Sequence, residues 1–278
     1  VLAGIVYFFA FNWMKLPAAV KLGSVELALF GCTAAAYLYG LNRLSGKTLL
    51  LSASVLVGVF WAVFGQIYQT GADAYSLFLA WSILIAGWVL LSEFAALWAV
   101  WLVVTNIFLG LYWTQAVLPT SEQSMLIWSI LAAFNMVALT LREVLVARGA
   151  EWPSQHWTRL ALVIPILIFL LIPTTIFLAE PRRADLGISF GAAFGLASHA
   201  ALFLVYRYRL PDVWALAAVF LSSCVIVEVM GFRLLRDIFE GSDAARLLFS
   251  GLMTIAIFTL AVSALRHLVR HMETSNVQ

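Results

Sequence analysis

The chain alternates between apolar stretches and short polar connections along its whole length. About 20 apolar residues are needed for a helix to cross a hydrocarbon core of about 30 Å. Ten stretches approach or reach this length: 1–14, 22–40, 48–66, 74–92, 94–112, 124–141, 159–179, 186–206, 212–230 and 246–265. The pattern predicts an all-α polytopic integral membrane protein with about ten transmembrane helices.

Composition supports a membrane environment. Of the 278 residues, 64% are hydrophobic and 11% are charged, whereas a soluble domain carries about 25% charged residues. The longest polar stretches, 142–158 and 231–245, are too short to form a domain. We therefore expect one transmembrane helical domain over residues 1–278 and exclude a water-soluble globule.

Residues 232–240 differ from the other connections. Apolar residues such as Phe232 and Ile238 alternate there with charged ones such as Arg233 and Arg236 at near-helical spacing. This pattern is typical of an amphipathic helix lying in the membrane interface. We expect an interfacial helix over 232–240.

The first apolar stretch is short. Residues 1–14 would rise only about 21 Å as a helix, and they lack the basic region and small-residue cleavage site of a signal peptide. We expect that this helix is truncated or begins upstream of Val1.

Basic residues in the connections predict orientation, because positively charged loops are retained in the cytoplasm. The side that holds the C-terminus has nine, against seven on the other: Arg43, Lys47, Arg142, Arg148, Arg159, Arg207, Arg209, Arg266 and Arg270, against Lys15, Lys21, Arg182, Arg183, Arg233, Arg236 and Arg246. We expect a cytoplasmic C-terminus. The formal charge of +2 is small and dispersed, which argues against a nucleic-acid partner.

The predicted span 186–206 carries a stripe of small residues that ends in a histidine. Gly187, Gly191, Gly195 and His199 recur every four residues. Such stripes let two membrane helices approach closely, so we assign the glycines to helix packing. His199 is either a functional ionisable residue within the membrane or a neutral ring hydrogen-bonded to a backbone carbonyl across the helix contact.

Two glutamates also lie near or within predicted spans. Glu228 is in the last turn of the span 212–230, where it either lines a binding site or forms an ion pair with Arg233 or Arg236. Glu26 is one turn into the span 22–40, where it is either a ligand-binding residue or an interfacial anchor near Lys21.

The connection 65–75 is the most distinctive local sequence. One interpretation is a tight turn, in which Gly71 ends a helix in the left-handed conformation and Asp73 caps the next helix. The other is that Gln66, Tyr68, Gln69 and Asp73 present polar groups to a ligand at the mouth of a cavity, because amides at membrane depth need partners.

These residues carry a resemblance to a known family. Phe11-Asn12-Trp13, Lys21-Leu22-Gly23, the segment Gly65 to Asp73, and Leu77-Phe78 with Trp81 resemble the bacterial predicted membrane proteins of the domain of unknown function 2157 family. The resemblance covers about residues 1–115. It implies a multi-pass protein of the bacterial inner membrane and assigns no activity.

No catalytic motif is present in the sequence. It contains no phosphate loop, HExxH, Cys-x-x-Cys or nucleophile elbow, and its histidines are too scattered for a metal or haem site. We expect no enzyme activity, no metal and no cofactor.

Two functions are consistent with the sequence. In the first, a transporter or lipid- or small-molecule-binding protein uses a cavity that combines Glu26, Gln66, Gln69 and Asp73 with His199 and Glu228. In the second, the chain is a structural or assembly subunit whose glycine stripe and tryptophan-rich faces contact another membrane protein or a second copy. Membrane lipids are the expected partners in both.

Overall fold

The computed structural model describes residues 16–69 and 71–275, and within them all side chains except those of residues 269 and 271–275. This part of the chain folds into nine long helices and no strand. They are α1 (Ala18–Tyr39), α2 (Leu44–Tyr68), α3 (Ala74–Ser92), α4 (Ala95–Tyr112), α5 (Leu126–Ala147), α6 (His156–Ala179), α7 (Leu186–Leu204), α8 (Val213–Ile238) and α9 (Asp243–Ser275).

All nine are long and apolar enough to cross a membrane. The predicted all-α polytopic architecture is therefore confirmed, and each predicted span from 22–40 onwards corresponds to one helix. The predicted span 1–14 lies outside the described residues.

The helices group into two compact units, where the sequence predicts one domain. The first unit ends at Leu118 and the second begins at Pro119. The boundary follows α4, which ends in a π-helical turn at Trp113–Val117. Leu118 itself has a positive φ of 50°, which makes it an unusual left-handed leucine.

The first unit comprises α1 to α4 and has a core of aliphatic residues and tryptophans. Leu50, Val57, Ile85, Val89 and Leu97 are buried at its centre, and several tryptophans, including Trp81 and Trp101, pack against them. The indole N–H of Trp81 donates to the Ser54 carbonyl at 2.8 Å, and that of Trp101 donates to the Ser82 carbonyl at 3.1 Å. These two hydrogen bonds therefore join α3 to α2 and α4 to α3.

Side chains from other elements form hydrogen bonds with backbone groups at both ends of α3. At its start, the Gln115 side-chain oxygen accepts a hydrogen bond from the Tyr75 backbone N–H at 3.1 Å. At its end, the Lys47 ammonium donates to the Glu93 carbonyl at 2.9 Å. Since the terminal amides and carbonyls of a helix lack partners within the helix, these two contacts fix α3 against α2 and α4.

The second unit is built around α6, which packs against α5, α7 and α8. This helix contains Pro165 and Pro173; a proline supplies no backbone N–H and interrupts the helical hydrogen-bond ladder. The hydroxyls of Thr174 and Thr175 donate to the carbonyls of Leu170 and Leu171 at 2.7 and 2.8 Å. The α9 helix packs mainly against α8 among the helices of the described part of the chain.

The expected interfacial helix differs from what is observed. Residues 232–238 continue α8 without a break to Ile238. The guanidinium groups of Arg233 and Arg236 donate to the carbonyls of Leu178 and Ala179 at 3.3 and 3.5 Å. These carbonyls belong to the last turn of α6, so the charged residues of the α8 extension bond to the end of a neighbouring helix. The position of this extension in the membrane interface stays a prediction.

Candidate functional site

A largely apolar groove lies between α7 and α8 in the described part of the chain. It has a volume of about 360 Å³ and is lined by Ala200, Phe203, Leu204, Val219 and Phe220 together with His199 and Ser223. Small-molecule sites in proteins range from about 300 to 1,000 Å³. Ala200 and Leu204 are exposed, so this α7–α8 groove opens onto the outer surface of the second unit.

The walls of the groove are held together by an aromatic contact. The rings of Phe203 on α7 and Phe220 on α8 meet edge to face, with their centroids 6.0 Å apart. This is a favoured geometry for aromatic pairs. The groove is thus an apolar cleft between two helices in direct contact.

His199 lies at the polar end of the groove and is 6% exposed. Its Nδ1 is 2.8 Å from the Gly195 carbonyl oxygen, and its Nε2 is 2.7 Å from the Ser222 hydroxyl on α8. Because a carbonyl only accepts, Nδ1–H donates to Gly195, and in the neutral ring Nε2 accepts from Ser222. The ring therefore links α7 to α8 and has no nitrogen left for a ligand.

The glycine stripe faces α6 of the same chain. A Cβ on Gly191 would lie 2.6 Å from Cβ of Pro173, and one on Gly195 would lie 2.2 Å from the Thr174 hydroxyl. At Gly187 the obstacle is the Glu122 carbonyl oxygen, at 2.7 Å. At these three positions α6 and the turn before α5 occupy the surface that the assembly interpretation assigned to another chain.

An ion-pair cluster joins α5, α6 and the α7–α8 connection. We use this name for Arg142, Glu143, Arg159 and Asp212. Both oxygens of Glu143 accept from the Arg159 guanidinium at 2.8 Å. The same guanidinium donates to Asp212 Oδ2 at 2.5 Å. Arg159 therefore forms a two-point contact with one carboxylate and a further bond with a second, for which the planar guanidinium is well suited.

The second arginine of the cluster is buried. Arg142 is 6% exposed; its guanidinium donates to Glu143 at 2.9 Å, to the Thr158 hydroxyl at 3.2 Å and to the Gln155 carbonyl at 3.3 Å. Two positive and two negative groups thus compensate each other. Because every charge in the cluster has a bonded partner, we assign the cluster a structural role.

Asp212 has a lowered pKa, for reasons that the cluster explains. Burial alone would raise the pKa of this carboxyl, but the Ala215 N–H, the Arg159 guanidinium and the exposed His156 ring oppose that effect and hold its pKa below the usual value. Asp212 also caps α8, since its Oδ1 accepts from the Ala215 N–H at 2.9 Å.

This shift predicts an acid-dependent loss of stability. A carboxylate with a pKa below its unfolded value of about 3.9 contributes stability fully above that pH and loses it as the pH falls through the folded pKa. We expect Asp212→Asn, which keeps the cap oxygen, to flatten the decline in unfolding free energy below about pH 4. Unfolding in detergent as a function of pH measures it, with the exposed Asp73→Asn as control. Parallel pH profiles for the wild type and Asp212→Asn would contradict this expectation.

Glu228 binds a hydroxyl rather than an arginine. The Thr254 hydroxyl on α9 donates to its Oε1 at 2.5 Å, while Arg233 and Arg236 bind carbonyls at the end of α6. The alternative of an ion pair with either arginine is therefore wrong. The hydrogen bond between Glu228 and Thr254 therefore links α8 to α9.

The remaining predicted residues lie in the first unit. Gln66, Tyr68, Gln69 and Asp73 are exposed, and Tyr68 packs on Phe64 with ring centroids 4.6 Å apart. The α2 helix ends at Tyr68, and Gln69 takes the left-handed capping position with φ of 43°; Gly71 also has a positive φ, of 62°. The left-handed end of α2 is thus at Gln69, two residues before the predicted position, Gly71.

The structure corrects the expected roles of Asp73 and Glu26 near helix starts. Asp73 precedes α3 as its N-cap residue, but its side chain makes no capping hydrogen bond; the oxygen at this helix start comes from Gln115. Glu26 is exposed and lies two turns into α1, because that helix begins at Ala18 after Pro17. The cavity that would combine these residues with His199 and Glu228 stays a prediction.

The sequence analysis predicted neither the ion-pair cluster nor the groove. Arg142, Glu143, Arg159 and Asp212 all lie at span ends on one predicted side of the membrane, and that coincidence was the available signal for the cluster. The groove has no such signal, since alanines, leucines and phenylalanines recur in every span.

These features define a polytopic helical membrane protein. Residues 1–98 match the model of the family described as Predicted membrane protein (DUF2157), which confirms the resemblance that the sequence predicted over about residues 1–115. The match ends within α4, so the groove and the ion-pair cluster lie beyond it. No curated protein and no solved structure matches the chain.

Proposed function

We propose that the protein binds a lipid or a small apolar molecule in the α7–α8 groove. The observation that carries this proposal is an open cleft of about 360 Å³ whose lining is apolar except for His199 and Ser223. Ligand sites are typically mostly apolar clefts with a few polar groups. A hydrocarbon chain fits such a lining without leaving a polar group unpaired.

The groove supports ligand binding better than it supports proton-coupled transport. His199 uses both ring nitrogens within the protein, and the Ser223 hydroxyl donates to the Val219 carbonyl at 2.8 Å. A proton relay needs ionisable groups free to exchange protons, and among the residues that line the groove His199 is the ionisable one.

The proposal includes a location. The family description and the nine apolar helices support a multi-pass membrane protein, and we place it in the bacterial inner membrane. The greater number of basic residues on the C-terminal side supports a cytoplasmic C-terminus.

Filling the groove tests the proposal. In Ala200→Phe the added ring would occupy the cleft, so we expect photocrosslinking by a phospholipid with a diazirine on its acyl chain to fall severalfold at residues 199–204 and 219–223. Crosslinked peptides from the full-length chain in nanodiscs, identified by mass spectrometry, measure the effect.

The matched control is Ala193→Phe. Ala193 is another exposed alanine on α7, about two turns before Ala200 and not part of the groove lining. Its crosslinking should equal that of the wild type. Equal labelling of the groove peptides in both variants would refute binding in this cleft.

A further inference from the structure

One end of the second unit carries positive charge that no described residue compensates. Arg142 and Arg159 have carboxylate partners within the ion-pair cluster. Arg207 and Arg209, in the π-helical turn Val205–Arg209 that follows α7, form no ion pair with any described residue. The turn therefore presents two uncompensated charges.

Arg207 has a buried donor without a partner. Its Nε is inaccessible to solvent and has no hydrogen-bond acceptor among the described residues. Its guanidinium carbon lies 5.3 Å from the centroid of the Tyr208 ring, which is cation–π distance. A buried donor without an acceptor is costly. Arg207 as a whole is only half-buried, so an anionic oxygen that binds the outer, terminal nitrogens of its guanidinium would stabilise this side chain.

The turn directly follows the part of α7 that lines the groove. Arg207 follows Leu204, a lining residue, by three positions, and follows His199 by eight, which correspond to about 12 Å of helix rise. Tyr208 within the turn and Trp214 in the first turn of α8 are 67% and 66% exposed. Exposed tyrosine and tryptophan at a helix end are typical of the headgroup level of a membrane.

We propose that the site is specific for an anionic phospholipid, with its phosphate on Arg207 and an acyl chain in the α7–α8 groove. The inference rests on the proposed lipid binding and adds the headgroup class. Charge complementarity supports this inference, because two arginines without carboxylate partners among the described residues follow the lining residue Leu204 of an apolar cleft by three and five positions. Arg209 adds long-range attraction, and Arg207 provides the direct contact.

The test compares two headgroups on the same photoreactive acyl chain. In nanodiscs doped with either probe, groove peptides of the wild type should be labelled at severalfold lower concentration by phosphatidylglycerol than by phosphatidylcholine. A basic residue near an anionic surface contributes about 1 kcal/mol, which is about fivefold in affinity. Arg207→Gln should therefore lower the phosphatidylglycerol labelling about fivefold and lower the phosphatidylcholine labelling by less, because the choline cation already offsets the charge of that phosphate.

Arg148→Gln is the matched control. Arg148 is an exposed arginine on the same predicted side, and no described residue pairs with it. It should retain the wild-type preference. An equal loss of preference in Arg148→Gln and Arg207→Gln would show a general surface-charge effect and overturn the assignment of the phosphate to Arg207.

The outcomes separate this inference from the function on which it rests. Equal labelling of the groove by both wild-type probes would overturn the anionic preference while leaving lipid binding intact. Labelling of the groove by neither probe would overturn both. Excess glycerol phosphate should not compete; competition at concentrations comparable to the lipid would identify a soluble phosphate as the ligand and overturn the lipid assignment.

Discussion

Arg159→Gln is expected to destabilise the protein by about 3 kcal/mol, because removing one partner from a buried ion pair leaves the Asp212 carboxylate without a guanidinium and leaves Glu143 with Arg142 alone. Here the loss leaves Glu143 without its two-point contact and Asp212 without its 2.5 Å bond. The free energy of unfolding in mixed detergent and SDS micelles measures the effect. Arg159→Lys should fall between the wild type and Arg159→Gln, since an ammonium group cannot contact two carboxylates with the same geometry.

Two further variants make this expectation specific. Arg148→Gln removes an exposed arginine and should change stability by less than about 0.5 kcal/mol. Adding Asp212→Asn to Arg159→Gln should recover part of the loss, because the double variant buries one fewer unpaired charge, while Glu143 keeps its partner Arg142. A loss in Arg159→Gln no larger than in Arg148→Gln would show that the cluster contributes little to stability.

Gly191→Leu is expected to separate α7 from α6 and to cost about 3 kcal/mol, the upper end of typical overpacking penalties. Even a Cβ at this position would lie 2.6 Å from Cβ and 2.8 Å from Cγ of Pro173. The proline ring cannot rotate away as a flexible side chain would, so the backbones must move apart. Thermal unfolding in detergent measures the loss.

Gly251→Leu is the matched control for this substitution. Gly251 lies within α9, and a Cβ there would meet nothing within 4 Å. Leucine is also a better helix former than glycine by up to about 1 kcal/mol, so this variant should be as stable as the wild type or slightly more stable. If both leucine variants lowered the unfolding temperature equally, the packing of Gly191 on Pro173 would not be the cause.

The glycine stripe shows which structural features can be predicted from residue spacing alone. The four-residue repeat of Gly187, Gly191 and Gly195 predicts one helix face without side-chain bulk, and the structure places α6 against that face. The sequence left open whether the contacting helix belonged to the same chain. That choice depends on the path of α6, whose Pro173 and Thr174 fill the space above the glycines.

The polar residues show the limit of sequence analysis more clearly. Glu228 has arginines nearby in sequence, yet its partner is Thr254, 26 residues away. Asp73 precedes a helix as a capping residue should, yet the capping oxygen comes from Gln115. Hydrogen-bond partners depend on which helices are adjacent, and sequence separation does not predict adjacency between apolar helices of similar composition.

Hydropathy by itself determined the environment, the helical class and the approximate extent of the helices from 22–40 onwards, because an unpaired backbone amide or carbonyl is too costly in hydrocarbon for any open alternative. Only the tertiary structure decided that the helices form two units, that His199 bonds to Ser222, and that the charges at three helix ends meet in one ion-pair cluster. Lipid solvates every apolar helix face about equally well, so close packing and hydrogen bonds, which depend on three-dimensional proximity, select the neighbours of each helix.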